Sequence, residues 1–341
     1  MRILVTGAAG FIGSNLIRHI FRTIDNATVA GIDNLNAYYD PRLKEERLDS
    51  LMGYDRFTFH KGNIADRAFL EGVFAEFRPQ IVVNLAAQAG VRDSIINPDT
   101  HIESNVIGFY NILEACRHSY EAYEGGVQHL VFASSSSVYG VEAKIPYSVD
   151  DKADSPVSLY AATKRSNELM AHAYSKLYNI PTTGLRFFTV YGPAGRPDMA
   201  YFRFTDKLVK GEKIQIFNYG NCKRDFVYVD DIVEAVVRVM SKAPSPYAVY
   251  NIGGGNPVNL LDFVDILQQE LVRAGLLPAD YDFEAHRELL SMQQGDVPVT
   301  FADTAALTRD FGFTPTTTLR DGLRRFVWWY GENNCCKREK G

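Results

Sequence analysis

Thr6-Gly7-Ala8-Ala9-Gly10-Phe11-Ile12-Gly13 is the stretch that decides the fold, because it joins a short apolar run to an amphipathic helical pattern. Gly7 permits a tight turn, and Gly10 removes a Cβ so that the backbone can approach a pyrophosphate at the helix N-terminus. Gly13 lets the helix pack closely on the preceding strand. This spacing predicts a dinucleotide-binding turn; the alternative is an ordinary glycine-rich turn.

Asp33 lies 20 residues beyond Gly13, at the end of the second predicted strand. A carboxylate at this position accepts hydrogen bonds from a ribose 2′-hydroxyl and repels a 2′-phosphate. The predicted cofactor is therefore NAD rather than NADP. The alternative is an acidic residue that is unrelated to the glycines.

Outward from this turn, short apolar runs alternate with longer helical patterns. The predicted strands are 2–6, 28–33, 57–61, 80–85, 128–133 and 182–188, and the predicted helices are 11–24, 42–52, 66–77, 99–118 and 159–177. Such alternation is typical of α/β proteins with a doubly wound parallel sheet. Helix 42–52 is rich in both charges, which predicts a solvated face and not a binding patch.

After Tyr191 the pattern changes, because Gly- and Pro-rich loops separate shorter elements. Helices are predicted at 230–240, 260–273 and 319–330. We therefore predict a Rossmann-type α/β fold with a smaller, mostly C-terminal α/β substrate-binding domain. The NAD-binding domain covers 1–190, with parts of 220–260 returning to it; the second domain covers 191–332, and 333–341 form a frayed tail.

The composition excludes several classes of protein. The 341 residues carry 36 Lys and Arg against 41 Asp and Glu, a formal net charge of −5, which argues against a basic nucleic-acid-binding surface. Four cysteines without a C-x-x-C pair argue against a disulfide scaffold and a zinc site, so no metal is expected. No apolar run approaches the ~18 residues of a membrane span. We expect a cytoplasmic protein with reduced thiols.

Tyr160 and Lys164 begin helix 159–177 at i, i+4, so the phenol and the ammonium share one face. A phenol with an ordinary pKa of ~10 is a poor base at neutral pH. A neighbouring ammonium and a nicotinamide cation would stabilise the phenolate, so that Tyr160 can take a proton from an alcohol while hydride leaves its carbon. Tyr219 and Lys223 share the spacing but lie in a turn-like stretch, where it does not imply proximity.

Four serines at 134–137 end the fifth predicted strand at its carboxyl edge, where such sheets bind ligands. A hydroxyl there can hydrogen-bond a substrate alcohol and relay its proton to Tyr160. We favour Ser135 for this role, with Ser136 second. The others are ascribed to a serine-rich turn.

Together, the glycine turn, Asp33, Asn84-Leu85-Ala86-Ala87-Gln88, the serine run and the Tyr160–Lys164 pair resemble the extended short-chain dehydrogenases/reductases that act on nucleotide sugars. Four further motifs are similar to those of the UDP-glucuronate 4-epimerases: residues 33–40, 186–193, 195–200 and 224–231. The resemblance covers nearly the whole chain. It implies an isomerase in which tightly bound NAD oxidises C4 of UDP-glucuronate, the 4-keto sugar turns over, and the returning hydride yields UDP-galacturonate.

The resemblance also implies the residues around each ligand. The predicted NAD-contacting residues are Gly7, Gly10, Phe11, Ile12, Gly13, Asp33, Asn34, Asn63, Ile64, Leu85, Ala86, Ala87, Gln88, Asn105, Tyr160 and Lys164; of these, the resemblance implies Asn63, Ile64, Leu85, Ala87, Gln88 and Asn105. The predicted UDP-sugar residues are Arg92, Thr189, Arg196, Ile216, Phe217, Asn218 and Arg224; of these, the resemblance implies Arg224 at the diphosphate and 216–218 at the uridine. The alternatives are that Leu85, Ala87 and Ile216 are plain core and that Arg224 pairs with Asp225 or Asp230.

Two positions depart from the family pattern. Asn63 stands where many relatives have an aspartate for the adenine amine, although its amide oxygen can still accept a hydrogen bond. Gln293-Gln294 stand where UDP-galactose 4-epimerases carry arginine just before the Gly-Asp that matches Gly295-Asp296, so the diphosphate clamp is expected to differ.

Ser136 and Ser137 occupy positions where sugar 4,6-dehydratases and UDP-glucuronate decarboxylases have acidic residues. Serine is a poor general acid or base, which argues strongly against dehydration. It argues less strongly against decarboxylation, because a 4-keto-uronate is a β-keto acid that loses CO₂ with little help. A decarboxylase and another UDP-hexose 4-epimerase stay open as alternatives, whereas the intact Tyr160–Lys164 pair disfavours a non-catalytic NAD-binding protein.

An epimerase must hold the sugar carboxylate away from the geometry in which CO₂ leaves. Guanidinium binds carboxylate bidentately, so we predict this role for Arg196, with the Thr189 hydroxyl as a second donor. The alternative is a surface pair between Arg196 and Asp198. Helices 99–118 and 159–177 are expected to form a four-helix homodimer face, as in relatives.

Overall fold

A computed structural model describes residues 1–141, 144–293 and 296–338. Its strands are β1 (Arg2–Thr6), β2 (Thr28–Asp33), β3 (Phe57–Lys61), β4 (Ile81–Asn84), β5 (His129–Ser135), β6 (Thr182–Phe187), β7 (Thr189–Tyr191), β8 (Ile214–Ile216), β9 (Lys223–Tyr228), β10 (Tyr247–Ile252), β11 (Pro257–Asn259) and β12 (Arg287–Leu289). Its α-helices are α1 (Phe11–Thr23), α2 (Arg42–Met52), α3 (Arg67–Phe77), α4 (Asp93–Ile96), α5 (Pro98–His101), α6 (Gly108–Ala122), α7 (Leu159–Tyr178), α8 (Ala200–Val209), α9 (Val229–Met240), α10 (Leu260–Arg273), α11 (Ala305–Phe311) and α12 (Leu319–Arg338).

Seven strands form one parallel sheet in the order β10-β6-β5-β4-β1-β2-β3. The chain begins in the middle at β1, winds outward through β2 and β3, and crosses back to β4 on the other side of β1. Open α/β sheets bind ligands at the carboxyl ends of the strands where the winding reverses, here between β1 and β4. The predicted doubly wound, Rossmann-type fold is confirmed.

The sheet is buried on both faces, as its apolar strands predict. Ile3 and Val5 belong to one hydrophobic cluster, and Leu4 between them belongs to another, because side chains alternate across a strand. Leu16 of α1 covers the first face and Ile112 of α6 covers the second, and both are fully buried. Each such side chain contributes about 1.5–3 kcal/mol of burial free energy.

The glycines of the first turn bring backbone segments into direct contact. A Cβ on Gly13 would lie 2.1 Å from the Gly7 carbonyl oxygen, and a Cβ on Gly7 would lie 2.8 Å from the Ala86 nitrogen. Gly7 also has a φ of +70°, which L side chains rarely adopt. The turn therefore places the start of α1 directly against the end of β4.

The second half of the chain builds a three-stranded sheet in the order β11-β9-β7 and a parallel pair of β12 and β8. Strand β10 returns to the large sheet and pairs with β6, and α9 packs on α1. Tyr201 and Phe326 pack edge to face at 4.7 Å in the hydrophobic cluster that also contains Ile3. This cluster thus supports both one face of the large sheet and the smaller elements.

The solvated face predicted for helix 42–52 is wrong in part. Lys44 and Arg47 of α2 are only 6% and 4% exposed, together with Leu51, which is fully buried. These residues recur at the spacing of a helix face, so the helix is amphipathic with two basic side chains on its inner side.

Two other predicted elements differ from the structure. The helix predicted at 99–118 is divided into α5, a π-helical segment (Ile102–Ile107) and α6. A frayed tail was predicted from 333, but the last helix continues to Arg338. No glycine or proline between Gly331 and Arg338 interrupts it. Residues 339–341 lie outside the described residues.

Candidate active site

A cleft of about 520 Å³ opens at the carboxyl ends of the central strands. It brings together the predicted NAD-contacting residues from the glycine turn, the ends of β2 and β4, and the loop after β3. The predicted residues that line it are Gly7, Gly10, Phe11, Ile12, Gly13, Asp33, Asn34, Asn63, Ile64, Leu85, Ala86, Ala87, Gln88, Tyr160 and Lys164.

The glycine turn has the features that a dinucleotide pyrophosphate requires. Gly10 is the N-cap of α1 and provides no side-chain acceptor, so the first N–H groups of the helix have no side-chain cap. A Cβ on Gly10 would lie 2.9 Å from the Gly7 carbonyl oxygen, so a larger residue would clash with the turn at this position. Asp33, at the end of β2, accepts from the Ala9 N–H at 3.1 Å and lines the same cleft. The residues present therefore fit NAD.

Several side chains near Asp33 that line the cleft were not predicted. Lys44 donates to the Asn36 Oδ1 at 2.6 Å, and Asn36, Tyr38 and Lys44 all line the cleft. Burial lowers the pKa of Lys44, and the charge of Asp33 opposes that shift. The sequence signal for Lys44 is its spacing from Arg47 and Leu51, which places all three residues on one face of the helix.

Arg47 ties two loops of the cleft together. Its guanidinium donates to the Ala9 carbonyl oxygen at 3.3 Å, the Tyr39 hydroxyl at 2.6 Å and the Gly195 carbonyl oxygen at 2.8 Å. The first of these acceptors belongs to the glycine turn, and the last precedes Arg196. The two ends of the cleft are thus joined through one buried side chain.

Asn105 does not line the cleft, although it was predicted to contact NAD. Its Oδ1 accepts from the Gln88 N–H at 2.9 Å, and its Nδ2 donates to the Gln88 carbonyl oxygen at 2.9 Å and the Thr163 Oγ1 at 3.0 Å. The π-helical segment that carries Asn105 therefore holds the Gln88 backbone next to α7.

Asn63 lines the cleft with its amide already engaged. Its Oδ1 accepts from the Ala65 N–H at 3.0 Å, and its Nδ2 donates to Glu103 at 2.9 Å. An amide oxygen has two lone pairs, so one acceptor position on Asn63 is left for an adenine amine.

Tyr160 and Lys164 lie in the first turns of α7, which Ser158 caps by accepting from the Ala161 N–H. The Lys164 Nζ donates to the Ala133 carbonyl oxygen at 2.9 Å, and burial lowers the pKa of this ammonium to about 8. Burial raises the pKa of the Tyr160 phenol, while Ser135 and the charge of Arg196 lower it. The phenol is therefore protonated here, and its action as a base needs further positive charge in the cleft.

The other Tyr–Lys pair lies apart from this cleft, as its loop interpretation predicts. Tyr219 is 56% exposed with a φ of +51°, and Lys223 is exposed on β9. Neither residue lines the cleft that contains Tyr160.

The serine run divides into different environments. Ser134 donates to the buried Glu168 carboxylate at 2.6 Å, and Glu168 also binds Arg186 through two hydrogen bonds of 2.8 Å. Ser135 accepts from the Ser137 N–H at 3.2 Å and lines the cleft with Ser136. The Glu168–Arg186 ion pair, together with Ser134, thus joins the end of β5 to α7 and β6.

His101, which no sequence motif indicated, packs against Tyr160. Its ring packs edge to face with that of Tyr160 at 5.9 Å, and its Nε2 lies 3.0 Å from the Asp93 Oδ2. Burial lowers the pKa of this imidazole although Asp93 raises it, so the ring is neutral at pH 7.

A second cleft of about 190 Å³ adjoins the first, and Thr189, Met199 and Asp296 line both. The predicted substrate residues Arg92, Phe217, Asn218 and Arg224 line it as well. Arg203 lines it too and was missed.

Ile216 does not line either cleft: its side chain is fully buried in the core, which was the alternative for this position. Arg224 donates to the carbonyl oxygens of Lys223 and Pro298 and forms no pair with Asp225 or Asp230. Gln293 is described, whereas Gln294 and Gly295 lie outside the described residues.

Arg196 and Thr189 line the first cleft, as predicted for a carboxylate clamp. Arg196 also pairs with Asp198, through Nε to Oδ1 at 3.0 Å and through Nη2 to Oδ2. The pair that was the alternative is therefore present, but it stands in the cleft wall. Although burial opposes the shift, the hydrogen bonds of Asp198 raise the pKa of Arg196.

Within 1–141, 144–293 and 296–338, no group of three or more His, Cys, Asp or Glu side chains could hold a metal ion. Across the same described ranges, no helix is long and apolar enough to cross a membrane.

A dinucleotide turn, a Tyr–Lys pair and a serine run around one cleft define an NAD-dependent enzyme of the short-chain dehydrogenase/reductase type. The chain belongs to the NAD dependent epimerase/dehydratase family, whose model matches residues 3–253. The predicted family and its NAD dependence are confirmed.

Individual relatives cover almost the whole chain. Protein CapI of Staphylococcus aureus is 49% identical over 97% of this chain and 99% of its own. The probable UDP-glucuronate 4-epimerase of Rhizobium meliloti is 42% identical over 98% of each chain. The crystal structure of UDP-glucuronic acid 4-epimerase from Bacillus cereus, in complex with UDP-glucuronic acid and NAD, is 31% identical with a TM-score of 0.86, covering 97% of this chain and 100% of that one.

Proposed function

We propose that this chain catalyses the NAD-dependent 4-epimerisation of UDP-glucuronate to UDP-galacturonate through a bound 4-keto sugar. The observation that carries the proposal is a single cleft lined by the dinucleotide turn, by Tyr160 and Ser135, and by the guanidinium of Arg196. The similarity to named UDP-glucuronate 4-epimerases over nearly the whole chain supports the same substrate.

Each candidate residue then has a defined task. NAD, when bound, accepts a hydride from C4 of the sugar and later returns it. Tyr160 takes the proton of the C4 hydroxyl and gives it back, while Ser135 hydrogen-bonds the same oxygen. Lys164, held by the Ala133 carbonyl, supplies positive charge on the Tyr160 face of α7.

The sugar ring must turn over while the nucleotide stays bound, so we assign UDP to the second cleft. There the Phe217 ring and Asn218 suit a uracil, and Arg92, Arg203 and Arg224 suit a diphosphate. Arg92 lies over the Phe217 ring at 5.0 Å and contacts Asp296 at 3.2 Å, which places its charge at the boundary between the clefts. The sugar then extends into the first cleft toward Tyr160.

The purified protein is expected to contain NAD and to convert UDP-glucuronate into UDP-galacturonate without added cofactor. The hydride returns to the same nicotinamide, so the reaction cycle does not require NAD release. Mass analysis of the nucleotide freed by denaturation and chromatography of the UDP-sugars measure both results. A protein that holds no dinucleotide and needs NADP for activity would contradict the proposal and the role of Asp33.

Decarboxylation is the second candidate reaction, because the same 4-keto sugar can lose CO₂. Ser136 lines the cleft where decarboxylases have an acidic residue, and a hydroxyl does not supply that acid or base. A UDP-pentose as the main product would favour the decarboxylase, and activity on UDP-glucose alone would favour a UDP-hexose 4-epimerase.

We also propose a homodimer formed through α6 and α7. Both helices expose large apolar side chains, and on α7 Leu169 is 56% and Leu177 is 70% exposed. Ile107, at the end of the π-helical segment, and Tyr110 of α6 add 46% and 39% exposed surface. Exposed apolar surface along two long helices is typical of a helix–helix interface between subunits.

Replacing both Leu169 and Leu177 with glutamate is expected to shift the protein from dimer to monomer in sedimentation velocity, because charges would be buried at the interface. Trp328→Glu is the matched control, since Trp328 is 62% exposed on α12, outside this face. An unchanged sedimentation coefficient in the double variant would exclude this interface.

A cytoplasmic location is part of the proposal. Cys116 and Cys222 are free, buried thiols, which suits a reducing compartment.

A further inference from the structure

Arg196 and Asp198 form a side-on pair in the wall of the first cleft. The Arg196 side chain is 23% exposed and the Asp198 side chain is 34% exposed. Arg196 lines the same cleft as Tyr160, and its charge is close enough to lower the pKa of that phenol. The pair therefore borders the part of the cleft that the proposed function assigns to the sugar.

The pair occupies only one edge of the guanidinium. This group carries five N–H donors in a rigid plane. Nε and Nη2 donate to the two oxygens of Asp198, whereas Nη1 has no hydrogen bond to a residue in the described ranges. The end-on edge, made of Nη1 and the second N–H of Nη2, is available to another carboxylate.

Tyr38 contacts both members of the pair. The Tyr38 hydroxyl donates to the Asp198 Oδ2 at 3.3 Å, and the Arg196 guanidinium lies over the Tyr38 ring at 5.9 Å. Burial, followed by the charge of Asp198, raises the pKa of Tyr38 to about 12, so the phenol remains a donor at neutral pH. Asp198 and Tyr38 together restrict the tilt of the guanidinium plane.

We propose that Asp198, supported by Tyr38, is a positioning residue that orients the end-on edge of Arg196 toward the C5 carboxylate of a UDP-uronate. This inference rests on the proposed function and names the residues that decide between its two products. Arg196 itself contacts the substrate, and Asp198 acts through it.

The orientation of the carboxylate decides whether the 4-keto sugar survives. In decarboxylation the bond from C5 to the carboxylate breaks, its electron pair enters the C4 carbonyl as an enolate, CO₂ leaves, and C5 takes up a proton. The electron pair overlaps the carbonyl only when the breaking bond stands perpendicular to the carbonyl plane. A guanidinium of fixed tilt holds the carboxylate away from that geometry.

The charge of Asp198 is unfavourable for substrate binding, whereas the orientation that Asp198 gives to Arg196 is favourable for the intermediate. The Asp198 carboxylate repels a second carboxylate on the same guanidinium, so its charge weakens substrate binding. Its hydrogen bonds fix the plane of Arg196, which protects the intermediate. Asparagine at this position removes the charge and one of the two acceptor oxygens, so the two effects appear in different measurements: the loss of charge in KM and the loss of orientation in the product ratio.

Asp198→Asn in the NAD-containing enzyme is the test, with UDP-galacturonate, UDP-pentose and CO₂ measured after incubation with UDP-glucuronate. The fraction of UDP-pentose is expected to rise roughly ten-fold, since small misplacements of a positioned group cost up to about 100-fold. KM is expected to stay the same or fall. Tyr38→Phe, which keeps the ring and removes one hydrogen bond, is expected to give a smaller rise.

Asp40→Asn is the matched control, because Asp40 and Arg42 form a side-on pair of the same spacing on the surface. Its product ratio is expected to equal that of the wild type. An unchanged pentose fraction in Asp198→Asn would overturn the inference, whether KM falls or stays constant. If Asp198→Asn does not fold, an unchanged fraction in Tyr38→Phe overturns it. A wild-type enzyme that forms no UDP-galacturonate overturns the proposed function itself.

Discussion

Tyr160→Phe is expected to lower turnover of UDP-glucuronate by about 10²–10⁴-fold, the usual contribution of one general acid–base group. Tyr160 lines the first cleft at the start of α7, beside Ser135 and Arg196, and Lys164 lies one helical turn further along the same face. The ring remains in place in phenylalanine, so NAD and the UDP-sugar are expected to bind as before. Single-turnover rates measure the chemical step, and calorimetry measures binding.

Tyr219→Phe is the matched control, because Tyr219 precedes a lysine at the same spacing. Tyr219 is 56% exposed on a turn outside the first cleft. Its substitution is expected to leave the chemical step unchanged. Equal losses in the two variants would refute the assignment of Tyr160.

Arg196→Ala is expected to raise KM for UDP-glucuronate about 10- to 100-fold, the range of a lost hydrogen bond to a charged group. It is also expected to divert turnover toward CO₂ and a UDP-pentose, because the Thr189 hydroxyl alone cannot fix the plane of the carboxylate. Initial-rate kinetics and product chromatography measure the two effects. Loss of the guanidinium also leaves Asp198 unpaired, so Arg196→Lys, which keeps the charge without the fork, isolates the geometric part.

Arg42→Ala serves as the control for Arg196→Ala, because Arg42 makes a similar pair with Asp40 at 78% exposure. It is expected to keep both KM and the product ratio. An unchanged KM for Arg196→Ala, with no pentose formed, would remove Arg196 from the substrate site.

Local spacing in the chain was sufficient for the parts of the site that lie on one turn or one helix. Gly7 and Gly13 contact each other because a turn joins them, and Tyr160 and Lys164 share a face because α7 repeats every 3.6 residues. The alternation of strands and helices likewise determined the sheet, because apolar strands must be covered on both faces.

Other positions could not be assigned from spacing. Asn105 matched a family pattern for NAD contact, yet it lies behind Gln88, because the π-helical turn directs its amide toward the backbone of that loop. Ile216 matched a uridine segment, yet its side chain points into the core. In both cases a rotation of the backbone decides which side chain reaches the cleft.

The sequence by itself determined the glycine turn, Asp33 and the Tyr160–Lys164 pair, since each depends on residues close together in the chain. Only the tertiary structure decided that Arg47 joins Ala9 to Gly195, and that Arg203 enters the second cleft beside Arg92. These contacts connect segments more than 30 residues apart. Their formation depends on the order of strands in the sheet and on the packing of α2 and α8, which no local pattern encodes.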